Sequence, residues 1–212
     1  MTTVLDHITV VAPTLVAGAK FIRDTLGVEM QQGGSHPRMG THNLLLSLGE
    51  STYLEVIAVD PSAPKPNRPR WFDLDTLTPR SPPRLAAWVV ATKNIETSAS
   101  CCASEFGAIE PMTRGANAWL ITIPADGGLP FGGAVPALIQ WQTQAHPAKA
   151  LASSGCSLVA LEVFHPEPWR VSSVLQCMGL ASPPRVHPTA STDTLLVAHI
   201  QTPHGLRTLS SA

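Results

Sequence analysis

The sequence has few charged residues and almost no imbalance between the two signs of charge. Of its 212 residues, 14% are Asp, Glu, Lys or Arg, and the formal net charge is −1 at pH 7. A surface that binds nucleic acid or an anionic membrane needs an excess of Lys and Arg. We therefore expect no nucleic-acid partner and no membrane partner.

Long apolar runs and the common local motifs are missing as well. No stretch reaches the roughly 20 apolar residues of a transmembrane helix, and MTTVLDHITVV has no basic segment at its start, so no signal peptide is predicted. There is no G-x-G-x-x-G, no phosphate-binding G-K-[ST], no H-E-x-x-H and no G-x-S-x-G. These absences argue against the usual nucleotide-binding, zinc-protease and serine-hydrolase signatures.

Cysteines are few and poorly spaced for either of their usual structural roles. The four are Cys101, Cys102, Cys156 and Cys177. No two of them form a C-x-x-C pair, which makes them a poor framework for disulfides and a poor zinc site. Most are expected to be buried filler, and a cytoplasmic location is expected because reducing compartments suit free thiols.

What the sequence does contain is a strand–helix unit that recurs three times. It begins with LDHITVVAPTLVAGAKFIRDTLG, returns as LAAWVVATKNIETSASCCASEFG, and returns more weakly as LVALEVFHPEPWRVSSVLQCMG. In each copy the residue at the helix start and the glycine after the helix are 13 positions apart: Thr14 and Gly27, Asn94 and Gly107, Pro166 and Gly179. Thr and Asn are good N-caps, and glycine is a common helix stop.

Three short strand-like runs follow each strand–helix pair, so the unit is βαβββ. Many strands and few helices predict an α+β fold in which paired βαβββ modules form a curved, cup-shaped mixed sheet. We predict one compact domain with these parts: a first module at 1–60, a proline-rich connector at 61–84, a second module at 85–145 and a partial third module at 146–212.

Two polar residues of the first module share one register in this repeat. His7 lies seven positions before its helix cap, and Glu55 lies 28 positions after Gly27. If the strands curl into a half-barrel, the first and last strands of a module are neighbours, and the imidazole lies beside the carboxylate. Each residue alone is explained as well by a surface position, but together they suit a divalent ion such as Zn, Mn, Fe or Ni.

The residues quoted above resemble the vicinal oxygen chelate superfamily, the group of glyoxalases, bleomycin resistance proteins and extradiol dioxygenases. The segment GGSHPRMGTHNLLLSLGESTYLEVIAVDP resembles its glyoxalase-like domain proteins in particular. The resemblance implies a metal in the cup, with ligands on the first and last strands of each module. By position these are His7, Glu55, Ala87 and Gln140; Ala87 cannot bind a metal, which leaves His7, Glu55 and Gln140 as the expected ligands.

Other residues are candidates for the substrate pocket. His36 and His42 precede the third strand, Trp119 is expected on the cup face of its strand, and Trp71 lies in the connector, where it could fold across the opening. Trp141 is expected to face away from the cup and pack under a helix, because it follows Gln140 on one strand. The glycine-rich segment ADGGLPFGGAVP is either a long hairpin loop or a lid.

These features predict a divalent-metal-dependent lyase or isomerase of the glyoxalase type, acting on a small oxygenated metabolite. The metal would polarise the substrate, and the catalytic residues Glu55 or Gln140 would move a proton from carbon. The alternative is a metal-free small-molecule binding or resistance protein that uses the same cup. A third alternative is an interaction module without a working pocket. A homodimer, in which modules pair between chains, also stays open.

Overall fold

The computed structural model describes residues 2–211, apart from the side chain of Cys101. Within that range the strands are β1 (Val4–Val11), β2 (Gln31–His36), β3 (Thr41–Ser47), β4 (Tyr53–Val59), β5 (Arg84–Ala91), β6 (Ala108–Arg114), β7 (Asn117–Ile123), β8 (Ala137–Trp141), β9 (Ser157–His165), β10 (Arg185–Pro188), β11 (Leu195–Thr202) and β12 (Gly205–Ser210). The α-helices are α1 (Leu15–Leu26), α2 (Ile95–Ala99), α3 (Ala103–Phe106), α4 (Pro147–Ala150) and α5 (Pro168–Cys177).

The first eight strands form one curled sheet, the large sheet, in the order β2-β3-β4-β1-β5-β8-β7-β6. Each half is a βαβββ module whose first strand runs parallel to its last, β1 beside β4 and β5 beside β8. The halves meet where β1 pairs antiparallel with β5, for example Ile8 opposite Trp88. The predicted α+β fold is confirmed, and the two modules pair within one chain.

Helix α1 begins and ends where the sequence predicts. The Thr14 hydroxyl accepts a hydrogen bond from the Ala17 backbone, and Gly27 ends the helix with a left-handed φ of 73°. The equivalent helix of the second module starts at the predicted cap, Asn94, but it is interrupted: α2 stops at Ala99, and a 3-10 turn separates it from α3. The serine, threonine and cysteine residues of this segment are weak helix formers, which is consistent with the break.

Strand alternation gives the large sheet two different faces. On β1 and β4, the side chains of Ile8, Val10, Leu54 and Val56 are fully buried in the main core against the helices. The opposite, concave face forms a second apolar cluster that contains Val11 and other residues, mainly from β4, β5, β7 and β8. This concave face is the cup.

The C-terminal segment forms a separate sheet with a different strand order. Its elements follow the chain as β9-α5-β10-β11-β12, but the sheet order is β10-β9-β11-β12, so β9 lies between β10 and β11. Its inner residues, such as Val163 and Ile200, join the main core. Cys177 at the end of α5 is disulfide-bonded, which the spacing of the cysteines did not predict. Among the described helices none is long and apolar enough to cross a membrane.

The proline-rich connector closes the cup. Trp71 and Phe72 are 4% and 6% exposed, and both line the cavity, as the sequence predicted for Trp71. Phe72 and Asp73 have left-handed φ values of 58° and 56°, which cost free energy for residues with a side chain. The neighbouring Arg70 pairs with Asp75, with Nη1 2.5 Å from Oδ1. Buried packing and these contacts hold the connector in its strained path.

The glycine-rich loop supports the connector from outside. The Asp73 amide donates to the Gly127 carbonyl at 3.1 Å, and Gly127 itself has a φ of 73°. A Cβ added at Gly127 would lie 2.1 Å from the Arg70 carbonyl oxygen. Only glycine fits this contact, because both the φ value and the clash with backbone exclude a side chain.

We expect Gly127→Ala to lower the free energy of unfolding by about 2 kcal/mol or more, because the left-handed backbone alone costs about 1–2 kcal/mol and the clash adds to it. Urea unfolding of the variant and the wild type measures the difference. Gly128→Ala is the matched control: its added Cβ would meet the end of the Asp126 side chain at 3.1 Å, so a loss below about 1 kcal/mol is expected. Equal losses in both variants would contradict this account.

Candidate functional site

The cup encloses a small cavity under the connector. About 30 Å³ of it is free, which is room for one or two water molecules. Its walls are mostly aromatic, formed by Tyr53, Trp71, Phe72, Trp119 and Trp141. Four ionisable side chains also line it: His7, His36, Glu55 and Arg114. Ionisable groups in an aromatic cavity are typical of functional sites.

His7 and Glu55 meet on the floor of the cup. They come from the parallel neighbours β1 and β4, in which His7 pairs with Tyr53 and Thr9 with Glu55. Alternation directs these residues to the concave face, while Ile8 and Leu54 between them point into the main core. His7 Nε2 lies 3.7 Å from Glu55 Oε2. The predicted pairing of an imidazole and a carboxylate is therefore what the structure places there.

Glu55 is buried but well supplied with donors. Its exposed fraction is 6%, its Oε1 accepts from Asn43 Nδ2 at 2.5 Å, and its Oε2 accepts from the Thr9 hydroxyl at 3.5 Å. Asn43 is fixed in turn, because its Oδ1 accepts from the Gly34 amide at 2.8 Å. A buried carboxylate is costly unless hydrogen bonds offset the lost hydration. Glu55 is thus held in one orientation in the centre of an apolar strand.

A second buried carboxylate, Asp6, orients His7. A bulge in the pairing of β1 with β5 lies between Leu5 and His7. Asp6 Oδ1 accepts from His7 Nδ1 at 2.6 Å, and Oδ2 accepts from Trp141 Nε1 at 2.8 Å and His146 Nε2 at 3.0 Å. Since Nδ1 of His7 carries the proton toward Asp6, its Nε2 faces Glu55.

The donors around Asp6 also decide its charge. Burial alone would raise the pKa of this carboxyl, but hydrogen bonds from His146, His7 and Trp141 together outweigh it and hold the pKa well below its usual range. Asp6 is therefore an anion at neutral pH. Its hydrogen bond fixes the orientation of the His7 ring, as the carboxylate of a catalytic triad does for its histidine.

Tyr53 forms the platform under this pair. Its ring stacks on that of His7 at a centroid distance of 4.6 Å and an angle of 16°. Burial raises the pKa of Tyr53 well above its ordinary value, and the nearby charges of Asp6 and Glu55 raise it further. Tyr53 is thus a neutral phenol that fixes the plane of the His7 ring.

The opposite wall carries a neutral histidine and an arginine. His36 Nδ1 lies 3.1 Å from the Thr41 hydroxyl, and its Nε2 lies 3.2 Å from Arg114 Nη1. Burial lowers the pKa of His36 to about 4, partly opposed by Glu55 and assisted by the charge of Arg114. The ring is therefore neutral at pH 7, and its Nε2 accepts from the guanidinium. Arg114 also lies over the Trp119 ring, 5.9 Å from its centroid.

Several predicted residues lie elsewhere. Gln140 is on the other face of β8, where its Oε1 accepts from the Ile95 amide at 2.8 Å and caps α2. Its neighbour Trp141 lines the cavity, so the prediction that Trp141 packs under a helix is wrong. His42 does not line the cavity, because Thr41 and Asn43 on either side of it take the inward positions. Ala87 is in the cup cluster and offers no polar atom.

Other residues of the site were not predicted: Asp6, Tyr53, Arg114 and His146, together with Thr9 and Asn43, which hold Glu55. Tyr53 had a signal, because it precedes Glu55 by two positions on the same strand face. Asp6 had a weaker one, as a carboxylate adjacent to a candidate histidine. Nothing local distinguishes Arg114 or His146, since each reaches the site through a contact with a residue far away in the chain.

The comparisons with known proteins agree with this fold. The model of the glyoxalase-like domain family matches residues 5–178. The chain belongs to this family, within the vicinal oxygen chelate superfamily. No curated protein matches it.

Several solved structures are similar to this chain at low sequence identity, and the first of them shares its fold. A hypothetical protein from Staphylococcus aureus is 15% identical, with a TM-score of 0.62 and coverage of 90% of this chain and 87% of that one. Methylmalonyl-CoA epimerase from Mycobacterium tuberculosis is 16% identical, with a TM-score of 0.42 and coverage of 64% and 86%. A hypothetical protein from Bacillus halodurans C-125 is 16% identical, with a TM-score of 0.44 and coverage of 68% and 97%.

The donor set of the cup does not fit a resident metal ion. His7 Nε2 and Glu55 are suitable ligands, and Asp6 would orient His7 as carboxylates do beside metal-bound histidines. A catalytic divalent ion in proteins uses about three protein ligands. Across residues 2–211 no group of three His, Cys, Asp or Glu side chains is arranged to hold one, and Gln140 is on the wrong face. The second module contributes only apolar and indole groups to the floor.

We expect the purified protein, after incubation with Zn²⁺, Mn²⁺ or Ni²⁺ and desalting, to retain well below one equivalent of metal per chain. Elemental analysis of protein purified without an affinity tag measures this. His7→Ala is the companion variant. One equivalent in the wild type, lost in His7→Ala, would show that a third ligand joins His7 and Glu55 and would restore the metal site predicted from the sequence.

We also expect the protein to lose stability between pH 6.5 and pH 4. The unfolded chain protonates His36 near its ordinary pKa of 6.5, whereas the folded chain does so only near 4, so the unfolded state binds more protons in this window. The loss from this residue is about 3 kcal/mol. The lowered pKa of Asp6 acts outside the window, because its stabilisation is lost only below the ordinary Asp range.

Urea unfolding at pH 7, 5.5 and 4 measures this loss. His36→Gln, which can still donate and accept but does not titrate, should have a smaller dependence on pH over the same range. A variant as sensitive to pH as the wild type would assign the effect to another group.

Proposed function

We propose that the cup is the active site of an enzyme of the lyase or isomerase type that moves a proton at a carbon next to an oxygen-bearing carbon. The observation that carries this proposal is the buried series Asp6–His7–Glu55, with contacts of 2.6 Å and 3.7 Å, on the floor of a cavity closed by aromatic residues. A carboxylate is costly to bury beside aromatic residues, and Glu55 lines the cavity in spite of this cost. Such a cost is typical of catalytic groups.

Glu55 is the base in this proposal. Its carboxylate lines the cavity, and Asn43 and Thr9 hold it in a fixed orientation, which favours proton transfer at a defined point. Glu55 takes the proton from the substrate carbon, and the electron pair of the C–H bond moves to form an enol or enolate. In an isomerisation, the proton returns to the former carbonyl carbon, while the hydroxyl on the carbon that lost the proton gives up its own proton and becomes the new carbonyl. In a lyase reaction, the enolate re-forms its carbonyl, and a leaving group departs with its electron pair from the carbon on the other side of the one that lost the proton.

His7 moves the proton away from Glu55 and back. Its Nε2 is 3.7 Å from Glu55 Oε2, and its Nδ1–H is bound by the anionic Asp6, which stabilises the imidazolium that forms when Nε2 takes the proton. Asp6 and the stacked Tyr53 are positioning residues, because they act through His7. Metal dependence is not part of the proposal, since the cup supplies only two suitable ligands and a catalytic divalent ion uses about three.

The test is hydrogen exchange at carbon in D₂O, because an enzyme that removes a proton from carbon and shares it with His7 exchanges it with solvent. The wild type is incubated with a panel of small 2-oxo and 2-hydroxy compounds, both neutral and anionic, and the loss of each C–H signal is followed by NMR. We expect exchange on at least one compound, reduced about 100-fold or more by Glu55→Gln.

The matched control is Glu50→Gln, which makes the same chemical change at an exposed position with no part in the cup. Its exchange rate should equal that of the wild type. Saturable binding of a compound without any exchange would contradict the proposal and favour the alternative, a metal-free binding protein.

A further inference from the structure

Two hydrogen-bond donors beside the cavity are incompletely paired within the described residues. One is the Trp71 indole, which has no acceptor, and the other is the Arg114 guanidinium, which has no acceptor of opposite charge. The Trp71 indole N–H is buried, in a side chain that is 4% exposed, and it has no hydrogen-bond partner within residues 2–211. Arg114 forms no ion pair with a carboxylate in the same range; its contacts are the neutral His36 and the face of Trp119. An unsatisfied buried donor costs free energy, so the Trp71 N–H is suited to an acceptor that the protein itself does not supply. Arg114 is only partly buried, but no carboxylate within residues 2–211 pairs with its charge.

These two donors lie on the same wall. The Trp71 ring meets the His36 ring edge-on at 5.2 Å, and His36 is the residue that Arg114 contacts at 3.2 Å. Trp119 completes the group, with its ring 6.1 Å from His36. Because burial keeps His36 neutral, it offers Arg114 an acceptor without cancelling its charge. The wall therefore presents a net positive charge and a free N–H, opposite the carboxylates of the floor.

The backbone around Arg114 makes room for its side chain. A Cβ at Gly34 on β2 would lie 2.8 Å from Arg114 Cδ, so the glycine lets the arginine stem cross from one module to the other. A second arginine, Arg38, also links these modules, through the Pro111 carbonyl and Glu110, but it has a carboxylate partner and does not line the cavity. Linking the modules thus does not explain why Arg114 lacks an anion.

We infer that the substrate is a small carboxylic acid, a 2-oxo or 2-hydroxy acid, whose carboxylate is bound by the Arg114 guanidinium and the Trp71 indole N–H. Guanidinium–carboxylate pairs are strong, and an indole N–H supplies one directional donor to an anionic oxygen. The second feature of the acid, an oxygen on the carbon next to its carboxylate, is inferred from the proposed function, and this part of the inference rests on it. The small free volume and the aromatic walls favour a compact, flat acid, and its entry requires the connector to move.

The probes are pyruvate and pyruvamide, which have nearly the same shape and differ in charge. Binding is followed on the indole N–H signals of ¹⁵N-labelled protein, where the signal lost in Trp71→Phe identifies Trp71. We expect pyruvate to move the Trp71 signal downfield in a saturable way, because a free donor gains an anionic acceptor. Pyruvamide should leave it in place. The Trp88 and Trp141 indoles already donate to Gly133 and Asp6 and report whether the fold is intact.

Two arginine variants test the charge. Arg114→Gln should weaken pyruvate binding about tenfold or more, as expected for the loss of a hydrogen bond to a charged group. Arg38→Gln removes the other arginine between the same modules and should change the affinity less than about twofold. If Arg114→Gln does not fold, as judged from the Trp88 and Trp141 signals, Trp71→Phe is the second variant. It should weaken binding while Arg114 is retained, and because it lacks the Trp71 signal, its binding is followed on the indole signal of Trp119, which also lines the cavity.

The outcomes separate this inference from the proposed function. No shift of the Trp71 signal, equal effects of pyruvate and pyruvamide, or equal losses in both arginine variants would overturn the carboxylate site. If exchange in D₂O then occurs on neutral compounds alone, the proposed function stands without the carboxylate site. If pyruvate shifts Trp71 but no compound exchanges its proton, the carboxylate site stands and the proposed reaction fails.

Discussion

The antiparallel pairing of β1 with β5 is the contact on which the rest of the molecule depends. Each module alone is an open sheet with its first strand exposed along one edge, and the pairing joins those two edges into a single curled sheet. It also brings the floor of the cup together, since His7 and Thr9 lie opposite Val89 and Ala87. The bulges along this seam interrupt strict alternation, and one of them lies next to Asp6, the residue that orients His7.

The sequence was sufficient to predict the α+β architecture and two residues on the floor of the cup, His7 and Glu55. The distance from cap to glycine, repeated in three places, located the helices, and the runs after them located the strands. His7 and Glu55 were found from their register in the repeat, because His7 lies seven positions before its helix cap and Glu55 lies 28 positions after Gly27. For the connector, the sequence offered a path across the opening as one possibility, from Trp71 and Phe72 in a proline-rich segment.

The remaining residues of the site depend on features that counting positions along the sequence does not detect. The position of Gln140 came from an allowance for the length of the glycine-rich loop, and an error of one residue exchanges the faces of a strand, which is why Trp141 occupies the cup instead. Asp6 enters the site beside a bulge. Arg114 and His146 reach partners 78 and 140 residues away, so only the folded chain shows that they belong together.

The two modules are alike in backbone and unlike in chemistry, and this has a stereochemical consequence. A cup with the same groups on both halves would accept a ligand in two poses related by its pseudo-two-fold axis. Here the carboxylates of the floor belong to β1 and β4, whereas the second module presents Ile139 and Trp141 to the floor and Arg114 at the rim. A small ligand therefore has one preferred orientation. In the proposed reaction the proton would then leave from one face of the carbon, and only one of two mirror-image substrates would react.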